Sequence, residues 1–197
     1  MSSVSFIDEE KAIVRRDALT RRNALPPKLR AQAAEAIAAL PFPVPVAPGT
    51  IVSGFMPLKS EINPLPLMRA FAAAGAQLAL PVVAGKGRPL TMRAWSFGEP
   101  LASGVWGIRE PTPEAPEVFP DILIVPLLGF DRTGQRIGYG AGYYDMTIGR
   151  LRTMKAVTAV GIAYAAQEIA RVPFTPRDAV LDLVLTERET IDFRKAR

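Results

Sequence analysis

The stretch Ile122–Leu128, ILIVPLL, does most to decide the fold class of this chain. A short, continuous apolar run of this kind is typical of a strand that is buried on both faces of a sheet. Pro126 has no backbone N–H to give to a neighbouring strand, so it indicates that the strand ends near this position. The segment that follows, GFDRTGQRIGYGAGYYD at 129–145, predicts a turn and then a glycine-rich loop that leads into a helix.

Outward from this strand, helical and strand patterns alternate along the chain. Helices are predicted at 8–25, 28–40, 65–74 and 143–153. Further strands are predicted at 50–56, 78–83, 90–97, 156–163 and 180–185. Such an alternation is typical of an α/β fold, in which helices flank a mainly parallel sheet to give three layers.

The segments between these elements complete the predicted architecture. The proline-rich residues 41–49 predict a stiff connector, and residues 98–120 predict a loop. Because residues 1–40 are purely helical, we expect them to pack on the sheet as an N-terminal extension. The chain is therefore predicted to form one domain, 1–197.

The first predicted helix has a basic edge beside its apolar face, and Asp8–Glu10 are expected in its first turn. Its apolar stripe contains four residues: Ile7, Val14, Ala18 and Leu25. Along one flank of this stripe lie three basic residues: Lys11, Arg15 and Arg22. Long basic side chains at the edge of a buried face can reach into a cleft, although a solvated helix face is the commoner fate of a charge run. Arg16 is expected to point away.

Two residue types are missing from the sequence, which narrows the chemistry. The chain has no cysteine and no histidine. Their absence excludes disulfides, thiolate metal sites, a cysteine nucleophile and a Ser-His-Asp triad. The remaining carboxylates, cations, hydroxyls and backbone amides favour reactions in which a protein positions and neutralises anions, such as phosphoryl transfer.

Charge and hydropathy limit the predicted partners. The net charge is +5, but no aromatic residues alternate with the basic ones near the amino terminus, which argues against a base-stacking nucleic-acid surface. The amino-terminal residues lack the pattern of a signal peptide, and no apolar run is long enough to span a bilayer. We therefore predict a soluble cytoplasmic protein with no nucleic-acid or membrane partner.

The glycine-rich segment predicts a phosphate site. Gly138, Gly140 and Gly142 recur at every second position before a helix, where backbone N–H groups and the helix dipole favour phosphate. Arg136 can neutralise phosphate charge, and Asp145 can hold Mg²⁺. A flexible turn is the alternative for glycines alone. The spacing matches neither a Walker A loop nor the dinucleotide fingerprint.

The run from Leu123 through Asp145 resembles the signature of the 5-formyltetrahydrofolate cyclo-ligase family. The matching residues in this run are Pro126, Phe130-Asp131, Gly134, Arg136, Gly138, Gly140 and Gly142–Asp145. Other matches follow in order along nearly the whole chain: Lys11-x-x-x-Arg15, Phe55–Ile62, Gly107-Ile108, Glu110-Pro111, Asp178 and Asp182-x-x-x-Thr186-Glu187. The resemblance implies conversion of 5-formyltetrahydrofolate and ATP, with Mg²⁺, into 5,10-methenyltetrahydrofolate, ADP and phosphate. The chain is expected to act as a monomer or a homodimer.

The resemblance also implies a role for individual residues. Binding of ATP would involve Lys11, Arg15, Arg136, Ile137, Gly138, Tyr139, Gly140, Ala141, Gly142, Tyr143 and Tyr144. Binding of the folate would involve Met56, Glu61, Tyr139, Gly140, Ala141, Gly142 and Tyr143. Asp145 and Asp182 would coordinate Mg²⁺, and Arg136 and Tyr143 would be catalytic.

Several of these residues have a purely structural alternative. Asp145 can begin the helix that follows it, Met56 can belong to the core, and Glu61 can be an exposed loop acid. Asp182 lies in an apolar strand, where a buried carboxylate needs a cation or hydrogen-bond donors. Trp106 is either a core residue or a flat wall for the pterin ring.

Two departures from the family pattern and two other functions complete the sequence analysis. Ala141 stands where many relatives carry glycine or a basic residue, and Asn63-Pro64 follows Glu61 where a small hydroxyl or acidic residue is common. The first alternative function is a non-catalytic folate or nucleotide binder. The second, a sugar-phosphate isomerase or acyl-CoA transferase, rests on fold analogy alone.

Overall fold

The computed structural model describes residues 3–196. The helices are α1 (Ser3–Asn23), α2 (Pro27–Ala39), α3 (Leu65–Ala73) and α4 (Tyr143–Met154). The strands in the first half are β1 (Ile51–Ser53), β2 (Gln77–Val82), β3 (Thr91–Ala94), β4 (Leu101–Ser103) and β5 (Arg109–Pro111). Those in the second half are β6 (Ile122–Val125), β7 (Gly129–Phe130), β8 (Arg136–Ile137), β9 (Thr158–Ile162), β10 (Leu183–Leu185) and β11 (Thr190–Asp192).

Seven strands form one sheet in the order β11-β10-β9-β6-β1-β2-β3. The five inner strands are parallel to one another, and the two edge strands, β3 and β11, pair antiparallel to β2 and β10, respectively. The predicted fold class, a mainly parallel α/β sheet with flanking helices, is confirmed. β6 lies at the centre of the sheet and all four of its residues are buried, as the apolar run at 122–128 predicted.

The two faces of the sheet are covered by different helices. Ile122 and Ile124 of β6 belong to a core cluster that includes residues of α2 and α3. Leu123 and Val125 point to the opposite face, as alternate strand residues must, and pack in a second cluster with residues of α4. α1 contributes to a third cluster formed by Ala18, Leu128, Ile137 and Val172.

Some element predictions were wrong in detail. α1 begins at Ser3, so Asp8–Glu10 do not lie in its first turn. The predicted loop 98–120 contains the antiparallel hairpin of β4 and β5. The pair β7 and β8 and the edge strand β11 were not predicted, because strands of two or three residues are too short to show a period-two pattern. Among residues 3–196, no helix has the length and apolar character needed to cross a membrane.

Shortening a buried side chain of β6 tests how much this strand contributes to the core. Ile124 is 0% exposed, so Ile124→Ala should lower the free energy of unfolding by about 2–5 kcal/mol through lost packing and a residual cavity. Urea denaturation measures the change. The control is Ile13→Ala on the outer face of α1, where the side chain is 51% exposed and a change below about 0.5 kcal/mol is expected. Equal losses in both variants would contradict this account.

Candidate active site

The candidate site lies at the carboxyl edge of the sheet, between β1 and β6. The chain leaves β1 through α3 toward β2 on one side, and it leaves β6 through α4 toward β9 on the other side. In open α/β sheets, ligands bind in the crevice where two neighbouring connections diverge in this way. The loops that follow the two strands carry the folate and phosphate residues predicted above, respectively.

A small hairpin fixes the start of the glycine-rich loop. β7 pairs with β8, and the turn between them is organised by the buried Asp131. Its Oδ1 accepts hydrogen bonds from the backbone N–H and the hydroxyl of Thr133, at 2.8 and 2.6 Å, and its Oδ2 accepts one from the N–H of Val172 at 2.8 Å. The predicted turn is confirmed, and Asp131 anchors the hairpin that leads into the glycine-rich loop.

Left-handed backbone carries the loop into α4. Gly140 has φ +101° and Gly142, the N-cap of α4, has φ +69°. The Nε of Arg15, on α1, donates to the carbonyl of Gly138 at 3.1 Å. A Cβ at Gly140 would lie 3.1 Å from the Cζ of Arg15. Glycine at 140 therefore serves both the backbone conformation and the close approach of a guanidinium.

Lys11, one turn before Arg15 on α1, is buried and paired. Its Nζ lies 2.6 Å from Oδ2 of Asp178. The same carboxylate oxygen accepts bonds from the N–H and the hydroxyl of Thr175, at 2.5 and 2.9 Å. Burial alone would raise the pKa of Asp178, but the bonds from Lys11 and Thr175 outweigh burial and hold that pKa below its usual range. The carboxylate is thus a stable anion beside Lys11.

Arg136 and Asp145 form a second ion pair beside the first. The Nη2 of Arg136 lies 2.8 Å from Oδ1 of Asp145. The backbone of Ala179 joins both groups: its carbonyl accepts from Nη1 of Arg136, and its N–H donates to Oδ1 of Asp145 at 3.0 Å. Because Asp178 and Ala179 are consecutive, one turn of chain holds Lys11, Arg136 and Asp145 together.

Asp182 is buried, as its apolar strand predicted, but it lies in a different environment from Asp145. Its Oδ2 accepts a bond from Nη2 of Arg152 at 2.7 Å and one from the N–H of Ala159 at 2.8 Å. Arg152 belongs to the last turn of α4, whereas Asp145 belongs to its first turn. Each carboxylate therefore has its own arginine. Within residues 3–196 there is no group of three or more acidic, histidine or cysteine side chains that could enclose a metal ion.

The loop after β1 approaches the glycine-rich loop through Glu61. This residue is half-buried, and its Oε2 accepts a hydrogen bond from the N–H of Leu58 at 2.7 Å. Burial raises the pKa of Glu61 above its usual value, and the bond from Leu58, the charge of Arg22 and the hydroxyl of Tyr139 only partly offset this rise. Met56 is half-buried and packs against the core cluster of α2 and α3, so its core alternative is partly realised.

Aromatic side chains form the other wall of the loop. Tyr143 and Tyr144 pack partly buried against the cluster beneath α4. Burial and the charge of Glu61 raise the pKa of Tyr144, which therefore stays neutral. Trp106 is 65% exposed, which contradicts its core alternative, and its ring centroid lies 6.1 Å from that of Tyr143.

The remaining predicted site residues differ in exposure. The side chain of Ile137 is buried in the cluster beneath α1, so this residue can offer a ligand only backbone groups. Ala141 is exposed, and Tyr139 is 50% exposed. The Tyr139 hydroxyl accepts a bond from Arg22 at 2.5 Å.

The sequence is similar to a known enzyme family. The profile of the 5-formyltetrahydrofolate cyclo-ligase family matches residues 7–187. The chain belongs to the 5-formyltetrahydrofolate cyclo-ligase family. A cyclo-ligase of Mycolicibacterium smegmatis is 31% identical over 196 residues, which cover 92% of this chain and 95% of that protein. A cyclo-ligase of Escherichia coli is 31% identical over 174 residues, with 84% and 94% covered.

Solved structures extend the comparison from sequence to fold. The solution structure of Aquifex aeolicus 5,10-methenyltetrahydrofolate synthetase matches with a TM-score of 0.76 and 28% identity, and covers 95% of this chain and 94% of that chain. The resemblance seen in the sequence and the assignment to an enzyme family are thereby confirmed.

Sequence reasoning about this cyclo-ligase family member missed one residue of the site. Arg22 was placed on the basic flank of the first helix with Lys11 and Arg15, but it was given no role. It is 1% exposed and bonds the glycine-rich loop. The available signal was its spacing, because residues 11, 15 and 22 share one side of a helix with a 3.6-residue period.

Substitution of Gly140 tests the loop geometry. In Gly140→Ala, the φ of +101° and the contact with Arg15 should together destabilise the loop by roughly 1–2 kcal/mol. The free energy of nucleotide binding, measured by calorimetry, should weaken by more than the free energy of unfolding falls. The matched control is Gly149→Ala in α4, where a Cβ meets nothing within 4 Å and the helix should gain roughly 0.5–1 kcal/mol. Unchanged nucleotide affinity in Gly140→Ala would refute a phosphate-binding role for the glycine-rich loop.

Proposed function

We propose that this chain converts 5-formyltetrahydrofolate into 5,10-methenyltetrahydrofolate, with ATP as the phosphoryl donor. The observation that carries the proposal is the placement of three cations beside the glycine-rich loop. Arg15 donates to the Gly138 carbonyl of the loop. Arg136 precedes the loop, and the consecutive residues Asp178 and Ala179 join it to Lys11. Membership of the cyclo-ligase family supplies the reaction class. The reactants are small molecules, and we propose that the enzyme acts in the cytoplasm.

The phosphate half of the site would work by charge and position. The N–H groups in the first turn of α4 form the positive end of its helix dipole, where phosphate oxygens can bind. Lys11 and Arg136 would exchange their present carboxylate partners for phosphate oxygens. Arg15, whose Nε donates to the Gly138 carbonyl of the loop, would lie beside phosphates bound there.

One magnesium ligand fits this arrangement well. Mg²⁺ in nucleotide sites is commonly bound by one or two carboxylates, with phosphates and water as the other ligands. Asp145 meets that need, since within residues 3–196 its hydrogen bonds from Arg136 and from the N–H of Ala179 both go to Oδ1. Bound there, Mg²⁺ would neutralise charge on the transferred phosphoryl group. Asp182 stays a proposed second ligand, which would require its release from Arg152.

The folate half of the site would be formed by Glu61 and aromatic rings. An ionised carboxylate accepts hydrogen bonds from the N–H groups of a pterin ring, and charge-assisted bonds of this kind are strong. The exposed ring of Trp106 and the half-buried ring of Tyr143, with centroids 6.1 Å apart, offer aromatic surface on which a flat heterocycle can stack. Met56 and Tyr139 would complete the contact surface.

The proposed chemistry needs no protein nucleophile. The oxygen of the formyl group that N5 carries attacks the γ-phosphorus of ATP, and ADP leaves. N10 then attacks the activated formyl carbon, the carbon–oxygen bond breaks, and phosphate and the N10 proton are released. The chain has neither cysteine nor histidine, and positioning with charge neutralisation by Arg136 is the contribution that such phosphoryl transfers require. We propose that Tyr143 orients the acceptor.

An absorbance assay tests the reaction directly. Purified protein with 5-formyltetrahydrofolate, ATP and Mg²⁺ should form the methenyl chromophore, with one ADP released for each product. Omission of any one component, or chelation by EDTA, should abolish product formation. Binding of both ligands without any product would instead support the non-catalytic binder.

Two substitutions separate the proposed metal roles. Asp145→Asn should raise the Mg²⁺ concentration for half-maximal activity by about tenfold or more, because a charged ligand is lost. Asp182→Asn is measured in parallel, with thermal unfolding as the second readout. The same Mg²⁺ shift would identify Asp182 as a metal ligand, whereas lower stability with normal Mg²⁺ dependence would identify it as the partner of Arg152. Normal Mg²⁺ dependence in Asp145→Asn would rule out its metal role.

A further inference from the structure

The most deeply buried charged side chain in the described part of the chain belongs to Arg22, which is 1% exposed. Its Nε donates to Oγ of Ser60 at 3.1 Å, its Nη1 to the carbonyl of Leu127 at 3.5 Å, and its Nη2 to the hydroxyl of Tyr139 at 2.5 Å. These acceptors belong to the loop after β1, the loop after β6 and the glycine-rich loop. One guanidinium on α1 thus connects all the segments that form the crevice.

A merely structural role would explain this arrangement poorly. Burying an arginine is costly, and a well-packed apolar side chain would usually hold the same segments together at least as firmly. Within residues 3–196, no carboxylate forms an ion pair with Arg22. The Arg22 charge does act on Glu61, the residue that follows Ser60, where it opposes the rise that burial causes in the Glu61 pKa.

Glu61 is faced from several elements at once. From its own loop it accepts the N–H of Leu58, and from α1 it faces the charge of Arg22. The hydroxyls of Tyr139, Tyr144 and Tyr164 face it from the glycine-rich loop, from α4 and from the end of β9. Among these groups, Arg22 alone carries a positive charge. Its removal would therefore leave a half-buried carboxylate among neutral groups.

We propose that Arg22 is a positioning residue for folate recognition, which fixes Tyr139 and the Glu61 loop against each other and supplies the positive charge that faces Glu61. The inference rests on the proposed function, because it deepens the role given there to Glu61. Arg22 itself is too buried to contact a substrate. Arg22 would influence folate binding through Glu61 and Tyr139, whose positions it fixes.

The kinetic test compares Arg22→Met, which removes the charge, with Arg22→Lys, which keeps the charge but loses the fork of donors. Arg22→Met should raise KM for 5-formyltetrahydrofolate by about tenfold or more, the cost of one hydrogen bond to a charged group, while KM for ATP changes little. The acid limb of its kcat/KM profile should move to higher pH, because Glu61 protonates more readily without the positive charge. Arg22→Lys should restore the position of this limb.

Two further variants keep the test decisive. Arg16→Met is the matched control, since the Arg16 side chain is 73% exposed, and it should behave as wild type. Tyr139→Phe removes one acceptor on an exposed loop without opening the core. Combined with Arg22→Met, it should raise KM for the folate by less than the product of the two single effects, because the two residues share a bond. Fully multiplicative effects, or an unmoved acid limb in Arg22→Met, would overturn the inference.

A direct titration separates this inference from the proposed function. The Glu61 carboxyl carbon can be followed by ¹³C NMR and assigned by the signal that disappears in Glu61→Gln. Its titration midpoint should move to higher pH in Arg22→Met and return in Arg22→Lys, whether or not methenyl product forms. If wild type forms no product but the midpoint moves, the proposed reaction fails and the electrostatic role of Arg22 stands. If product forms and the midpoint does not move, the inference alone fails.

Discussion

Parallel pairing of β1 with β6 is the constraint on which the site depends. Because the connections that follow these two strands run to opposite sides of the sheet, their carboxyl ends are left open to a common crevice. The loop after β1 brings carboxylate and thioether groups to that crevice. The loop after β6 brings glycines and an arginine. Both loops are also held from outside, because Arg15 and Arg22 of α1 bond to them.

α1 and the turn Thr175–Ala179 supply that outer support. α1 contributes its basic flank, and the turn meets Lys11 through a side chain and Arg136 with Asp145 through its backbone. Residues far apart in sequence therefore become one charged network over the glycine-rich loop. The packing of a helical extension on the sheet is in this respect part of the site and not an accessory to it.

Much of the fold was accessible from the sequence because the signals are local. The run at 122–128 showed a buried strand, the glycines at every second position indicated a loop that leads into a helix, and the spacing of Lys11 and Arg15 placed them on one helix flank. The phosphate-binding role of the glycines stays a prediction. What was missed depends on contacts between distant segments. The partner of Asp182 is an arginine two helical turns beyond Asp145, and the exposure of Trp106 follows from a hairpin too short to leave a pattern. No local period encodes either fact.

The ion pairs of Lys11 and Arg136 bear on which anions the proposed phosphate site would select. Lys11 and Arg136 are each already satisfied by a carboxylate, Asp178 and Asp145 respectively. A single chloride or sulfate ion that meets this network would have to displace an internal anion that is tethered and therefore always present at high local concentration. A polyphosphate could instead replace both internal carboxylates in one binding event. If the proposed nucleotide site is correct, the resting network would disfavour single simple anions and admit a polyphosphate.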